Sequence, residues 1–157
     1  MKIAAFVGTF DPFTNGHASI VKRSFAIFDR LVIGVVGDNV NKPNMTPAKE
    51  RAEAIKMIYS DDSRIDVKIY NGLTVDFVKE VGACCIVKGV RTMADLDSER
   101  AQADMNRMLG DVETVLFISE PQLQSVSSSM VRELQHFGKD VKQFVPRKKG
   151  FLDETLM

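Results

Sequence analysis

Short apolar runs rich in β-branched residues recur along the chain at 3–7, 31–36, 65–70, 83–87 and 114–118. Each is nearly continuous, the pattern of strands buried on both faces of a parallel sheet. Between them, apolar positions return at helical spacing over 16–28, 47–59, 73–81 and 95–109, with a fifth such stretch over 128–137. This alternation predicts an α/β fold around a central parallel five-stranded sheet. The punctuation agrees. Thr46-Pro47 reads as an N-cap followed by proline in the first helical position, and Gly82, Gly110 and Gly138 stand where helices should end.

Ligands of open parallel sheets sit beyond the carboxyl ends of the strands, which directs attention to 8–17, 37–45, 71–74, 88–95 and 119–129. The first of these, Gly8-Thr9-Phe10-Asp11-Pro12-Phe13-Thr14-Asn15-Gly16-His17, joins a strand to a helix start. A hydroxyl, an imidazole and free backbone N–H groups there can all donate to phosphate oxygens at the positive end of a helix. On spacing alone a second reading stands beside this one: a turn at Asp11-Pro12, an N-cap at Asn15 and a polar His17 on the first helical turn.

Further along, Lys88-Gly89-Val90-Arg91 delivers two cations past a glycine at a strand end, suited to separate phosphates of a nucleotide and its acceptor. The bland alternative is a solvated charge pair. Asp95 and Glu99 follow one helical turn apart. Ser127-Ser128-Ser129 offers three hydroxyls at another helix N-terminus, of which ordinary capping explains one.

These blocks carry a family resemblance. Thr14-Asn15-Gly16-His17 matches the T/H-x-G-H signature of the nucleotidyltransferase superfamily, and the decapeptide 8–17 resembles that of the bacterial phosphopantetheine adenylyltransferases. Lys88 to Arg91, with Asp95, Glu99 and Met105-Asn106-Arg107, is similar to that family's second block, and the serine run to its third. The likeness covers nearly the whole chain.

The resemblance implies a Rossmann-like dinucleotide-binding domain that transfers the adenylyl group of ATP to 4'-phosphopantetheine, giving dephospho-coenzyme A and pyrophosphate. It implies Mg2+ with ATP and a homohexamer. It assigns His17 and Lys42 to catalysis. To ATP it assigns Thr9, Phe10, His17, Gly89, Val90, Arg91, Glu99, Leu123, Gln124, Ser125, Val126, Ser127, Ser128 and Ser129, and to the acceptor Thr9, Asn41, Lys42, Thr74 and Lys88. The chain departs from the family at several places. Asn41 occupies the position of a usual lysine, Lys88 that of a usual arginine, Ser98 that of a common tyrosine and Leu123 that of a common aromatic. The alternatives are a related nucleotidyltransferase with another phosphorylated acceptor, and a nucleotide-binding protein without catalysis.

Bulk properties narrow the setting. A length of 157 residues with 45% hydrophobic content suits one domain, 1–157, with a real core. Lys plus Arg and Asp plus Glu both number 21, so no broad basic field invites nucleic acid and an anionic ligand must be met by local charges. Apolar runs are too short for a membrane span, and Met1-Lys2-Ile3 leads straight into a strand, so a cytoplasmic protein is expected. Cys84 and Cys85 are adjacent and read as buried reduced thiols. No spacing of His, Cys or carboxylates suggests a protein-held metal, His136 reads as a helix-end residue, and Arg147-Lys148-Lys149 with Asp153-Glu154 as a solvated charged helix.

Overall fold

The computed structural model describes residues 1–38 and 44–147. Five strands, β1 (Ile3–Gly8), β2 (Arg30–Val36), β3 (Ile65–Tyr70), β4 (Cys85–Val90) and β5 (Glu113–Ile118), form one all-parallel sheet in the order β3-β2-β1-β4-β5. The helices between and after them are α1 (Asn15–Ser24), α2 (Ala48–Ile58), α3 (Thr74–Glu80), α4 (Met93–Gly110) and α5 (Ser128–His136). The α/β architecture expected from the periodicity is the observed one.

The order in which strands are added reverses between β1 and β4, which stay parallel, and the register shows what happens there. Their pairing ends at Phe6↔Val87, whereas β1 stays paired with β2 to Gly8↔Val35 and β4 with β5 to Val90↔Ile118. The two central strands therefore part over their last residues. A crevice opens at the topological switch point, where parallel sheets bind ligands.

Burial follows position in the sheet. β1 and β2 are buried almost end to end, as their continuous apolar runs require. The edge strands depart from that expectation: Ile69 on β3 and Ile118 on β5 are exposed, because an edge strand has neighbours on one side only. One core cluster gathers Phe6, Phe10, Phe13, Ile20, Val21, Ile33 and Ile55, and the other Ala5, Val7, Val32, Tyr70, Phe77, Val78 and Ile86. Phe77 stacks on Tyr70 at 4.4 Å, and a Cβ at Gly34 would lie 2.5 Å from the Phe77 ring, so Gly34 is what lets α3 seat on the sheet.

Several local expectations are corrected. Thr14, not Asn15, caps α1, and the Asn15 side chain instead donates to the Gln143 carbonyl at 2.8 Å. Thr46 makes no capping bond to α2; the Ala48 N–H is met at 2.7 Å by the Asp38 carboxylate arriving from the end of β2. Gly82 and Gly138 do adopt the left-handed conformation at helix ends, but at α4 Asp111 does so, with φ 55°. Gly110 is there for packing, since a Cβ would meet that of Val75 at 2.8 Å. The sheet is entered at Cys85, which leaves Cys84 exposed and Cys85 buried, both free. α5 ends at His136, which is exposed. Lys148 to Glu154 lie outside the described residues. No helix among the described residues is long and apolar enough to cross a membrane.

Candidate active site

The turn after β1 is built on aromatic packing. Phe10 takes φ 54°, a conformation that costs a bulky residue energy, and its ring is 4% exposed, edge-on to Phe6 at 5.2 Å and to His17 at 5.0 Å. Of the two nucleotide candidates at the start of this turn, Thr9 borders the crevice with little of its neighbour's ring exposed beside it. The ring of Phe10 is a floor under the histidine.

His17 is held in one tautomer. Thr14 Oγ1 accepts from the His17 N–H at 3.4 Å while His17 Nδ1 accepts from the Thr14 N–H at 2.9 Å, a reciprocal capping box. With Nδ1 committed as acceptor, the neutral ring carries its proton on Nε2. Burial, then the cations Arg91 and Lys88, press the imidazole pKa down from 6.5 to about 3. His17 is thus a neutral hydrogen-bond donor and not an imidazolium.

Lys88, Gly89 and Val90 belong to β4 itself, not to the loop beyond it, and Arg91 follows directly. Lys88 Nζ stands 3.7 Å from Glu99 Oε2, both side chains about four-fifths buried, and that oxygen has no hydrogen-bond partner. Arg91 is steadied by Asp95, whose Oδ2 accepts from the Arg91 N–H at 3.1 Å and lies 3.2 Å from its Nε. Gly89, between the cations, borders the cleft, and a Cβ there would press on Ile20 at 3.1 Å, so its absence serves the packing of α1 on β4.

At α5, Ser127 is the N-cap, accepting from the Met130 N–H at 3.0 Å. Its neighbours are not loose loop hydroxyls. Ser128 donates to the Pro12 carbonyl at 2.8 Å, and Ser129 accepts from Arg132 at 3.2 Å while Arg132 also donates to the Asp11 carbonyl at 2.7 Å. These bonds fasten the serine run to the first turn.

Thr9, Phe10, His17, Lys88, Gly89, Val90, Arg91, Glu99, Val126 and the three serines all border one cleft of about 270 Å³. The serines, Lys88 and Arg91 line it from separate elements. Leu123, Gln124 and Ser125, on a 3-10 turn and its exit, do not border it, nor does Thr74, whose hydroxyl bonds the Tyr70 hydroxyl at 2.9 Å. Asn41 and Lys42 lie outside the described residues. Asp95, Gly16 and Ser119 also line the cleft. Ser119, at the exit of β5, was missed because a lone serine after a strand carries no local signal.

Gly16 has room for a side chain and, unlike Gly72, Gly82 and Gly138, no positive φ to forbid one. A Cβ there would meet only Thr14 Oγ1 at 3.4 Å and Val126 O at 3.7 Å, both ordinary contacts, while the residue faces the cleft from within α1. Gly16→Ala should therefore keep or raise the melting temperature, since alanine favours a helix by about 0.5–1 kcal/mol over glycine. Turnover should nonetheless fall by roughly tenfold or more as the methyl intrudes on the cleft that Gly16 lines. Thermal unfolding and a rate assay on one preparation check the split.

Magnesium was expected with ATP. Among the described residues no group of three or more His, Cys, Asp or Glu converges as metal ligands, and the cleft carboxylates Asp95 and Glu99 face Arg91 and Lys88. This donor set does not fit a metal held by protein side chains alone.

Residues 5–134 match the cytidylyltransferase-like family. The chain is similar to phosphopantetheine adenylyltransferases from Phocaeicola vulgatus, 48% identical over 93% of this chain and 96% of the relative, and Porphyromonas gingivalis, 47% identical over 96% of each. In fold it is similar to a bifunctional NMN adenylyltransferase/ADP ribose pyrophosphatase from Francisella tularensis, with TM-score 0.71 and 13% identity over 94% of this chain and 46% of that one. A parallel sheet parted at its switch point, a T-x-G-H turn at that parting, and near-full-length identity of this order place the chain in the cytidylyltransferase-like family, among its phosphopantetheine adenylyltransferases.

Proposed function

We propose that the chain transfers the adenylyl group of ATP to 4'-phosphopantetheine, yielding dephospho-coenzyme A and pyrophosphate. The observation that carries this reading is the meeting of a neutral imidazole donor, Thr9, Lys88, Arg91 and the serines of α5 around one cleft. An oxygen of the acceptor phosphate attacks the α-phosphorus, the bond from that phosphorus to the bridging oxygen breaks, and pyrophosphate leaves. No protein nucleophile is needed. The acceptor is already ionised, so catalysis comes from alignment and from donors aimed at charge growing on the α-phosphate.

His17 Nε2–H and the Thr9 hydroxyl donate to that phosphate in this reading. Arg91 and Ser127 to Ser129 hold the β- and γ-phosphates, Glu99 and residues 123–126 help seat the nucleotide, and Lys88 meets the acceptor phosphate. Asn41, Lys42 and Thr74 are assigned to the acceptor on the family resemblance, Lys42 taking the place of the usual lysine. Magnesium enters as part of the substrate, neutralising the triphosphate, and the protein is placed in the cytoplasm.

Pyrophosphate release from ATP with 4'-phosphopantetheine, set against CTP with glycerol phosphate, tests the function. Activity in the first mixture supports it; activity only in the second overturns it.

The homohexamer is proposed to assemble through α4 and the β5 edge. Not one residue of α4 is buried within the chain, and Met105, Met108, Leu109, Leu116 and Ile118 are exposed on α4 and on the strand it packs beside. An apolar surface of this kind calls for protein contact, here a second copy. Sedimentation should give six chains. Met108→Glu with Ile118→Glu should shift the protein to smaller species with its circular dichroism unchanged.

A further inference from the structure

We propose that Ser128 is a positioning residue and not a phosphate-binding hydroxyl: its bond to the Pro12 carbonyl sets the turn that carries His17 in register with the start of α5, and the hydroxyls of Ser127 and Ser129 are left to donate to the triphosphate. The inference deepens the reaction proposed above and rests on it.

The chemistry of each partner fixes how the three hydroxyl hydrogens are used. A carbonyl only accepts, so the 2.8 Å bond between Ser128 Oγ and Pro12 O consumes the Ser128 hydrogen. A main-chain N–H and a guanidinium only donate, so Ser127 Oγ receives the Met130 N–H at 3.0 Å and Ser129 Oγ receives Arg132 Nη2 at 3.2 Å. Both of those oxygens keep their own hydrogen, and among the described residues it has no acceptor. All three serines border the cleft. Ser127 and Ser129 therefore bring free O–H donors to an anion, whereas Ser128 offers only its main-chain N–H, one of the first-turn groups that a helix leaves unpaired.

Capping does not require the Ser128 bond, since Ser127 already caps α5. What the bond holds is the stretch that fixes the histidine. Phe13, next after Pro12, is 4% exposed with its ring 5.3 Å from that of His17, and the N–H of Thr14 binds His17 Nδ1 at 2.9 Å. Arg132 Nη1 reaches the preceding carbonyl, Asp11 O, at 2.7 Å, but from an exposed side chain, so Ser128 is the better shielded half of the clamp. In the proposed reaction His17 and Thr9 meet the α-phosphate while α5 holds the β- and γ-phosphates. The Ser128 bond thus ties together the two grips on either side of the P–O bond that breaks, where a displacement of about 1 Å is costly to the rate.

Ser128→Ala, shown folded by circular dichroism, should lower kcat about tenfold while the calorimetric Kd for ATP stays within about threefold, because Arg91, Ser127 and Ser129 remain and His17 acts mainly in the transition state. Ser129→Ala should give the reverse, an ATP Kd raised about tenfold with a smaller change in kcat. Since Ser128 acts through the His17 turn, its effect should fade once the imidazole is gone: added to His17→Ala, Ser128→Ala should lower kcat by less than about threefold, where a direct phosphate ligand would still cost the full factor. A wild-type kcat in Ser128→Ala, an ATP Kd raised about tenfold in it, or an undiminished loss on top of His17→Ala would each overturn the proposal. A wild-type ATP Kd in Ser129→Ala would do so whether or not Ser128→Ala folds. Should the wild type turn over only another nucleotide or phosphorylated acceptor, the assigned reaction falls and the same variants are judged on that pair; silence with every pair removes both.

Discussion

Replacing His17 by alanine should lower kcat by a hundredfold or more, the usual order for loss of a preorganised donor to a transition-state oxyanion, while ATP affinity changes only a few-fold. The asymmetry follows from how the ring is held. Its Nδ1 is occupied by the Thr14 N–H and its faces by Phe10 and Phe13, so Nε2–H needs no reorganisation when charge grows on the α-phosphate. In the proposed reaction ATP keeps Arg91 and the serine run, which line the same cleft. Alanine also removes an aromatic contact and the acceptor for the Thr14 N–H, so the variant should be less stable by about 1–2 kcal/mol, and rates must be read where circular dichroism shows it folded. Pyrophosphate release at saturating substrates and ATP calorimetry together check the result. A kcat near that of the wild type would remove His17 from the chemistry.

The strands and helices were legible because their signals are local. Apolar runs marked every strand, and the glycine-bearing turn at 8–17 lines the cleft. Errors arose where the deciding partner is distant in sequence. The strand expected at 83–87 runs from 85 to 90, because its last residues face a cleft and so carry Lys88 and Gly89 where periodicity looks for apolar side chains. The α2 cap comes from Asp38, ten residues upstream, which no local capping rule could nominate. Gly89 and Gly110 answer to Ile20 and Val75, neighbours that only the folded sheet brings near.

Arg51, buried in α2 and bonded to the Thr9, Val36 and Thr46 carbonyls, shows the same limit and also a missed clue. A helical arginine reads as solvated, yet its place on the stripe of Ala48, Ala52 and Ile55 already argued that it points inward. The serine run illustrates the reverse case. Its capping role was legible, but the bonds from Ser128 to Pro12 and from Arg132 to Asp11, which make the third block a brace for the first, required the two ends of the chain to meet.

The neutral state of His17 has a consequence for stability against acid. An unfolded histidine binds its proton near pH 6.5, whereas burial and the adjacent Arg91 and Lys88 hold the folded one to about 3. Between those values the unfolded chain carries a proton that the folded chain refuses, so unfolding becomes easier as pH falls. The stabilisation is complete above pH 6.5 and is lost progressively as acid is added toward the folded pKa. At pH 5 the loss from this one group is about 2 kcal/mol, from 1.4 kcal/mol per unit over the interval covered. Protonation would also take Nδ1 from the Thr14 N–H, undoing the capping box. The carboxyl of Glu113, held below its usual range by Arg107, titrates at lower pH and leaves this window to the histidine. Urea unfolding at pH 7.5 and pH 5.0, at one protein concentration, should therefore cost the wild type about 2 kcal/mol more than a His17→Gln variant. Equal losses in the two proteins would mean that the imidazole is protonated in the folded state, and the neutral donor assigned to the α-phosphate would have to be replaced by a cation.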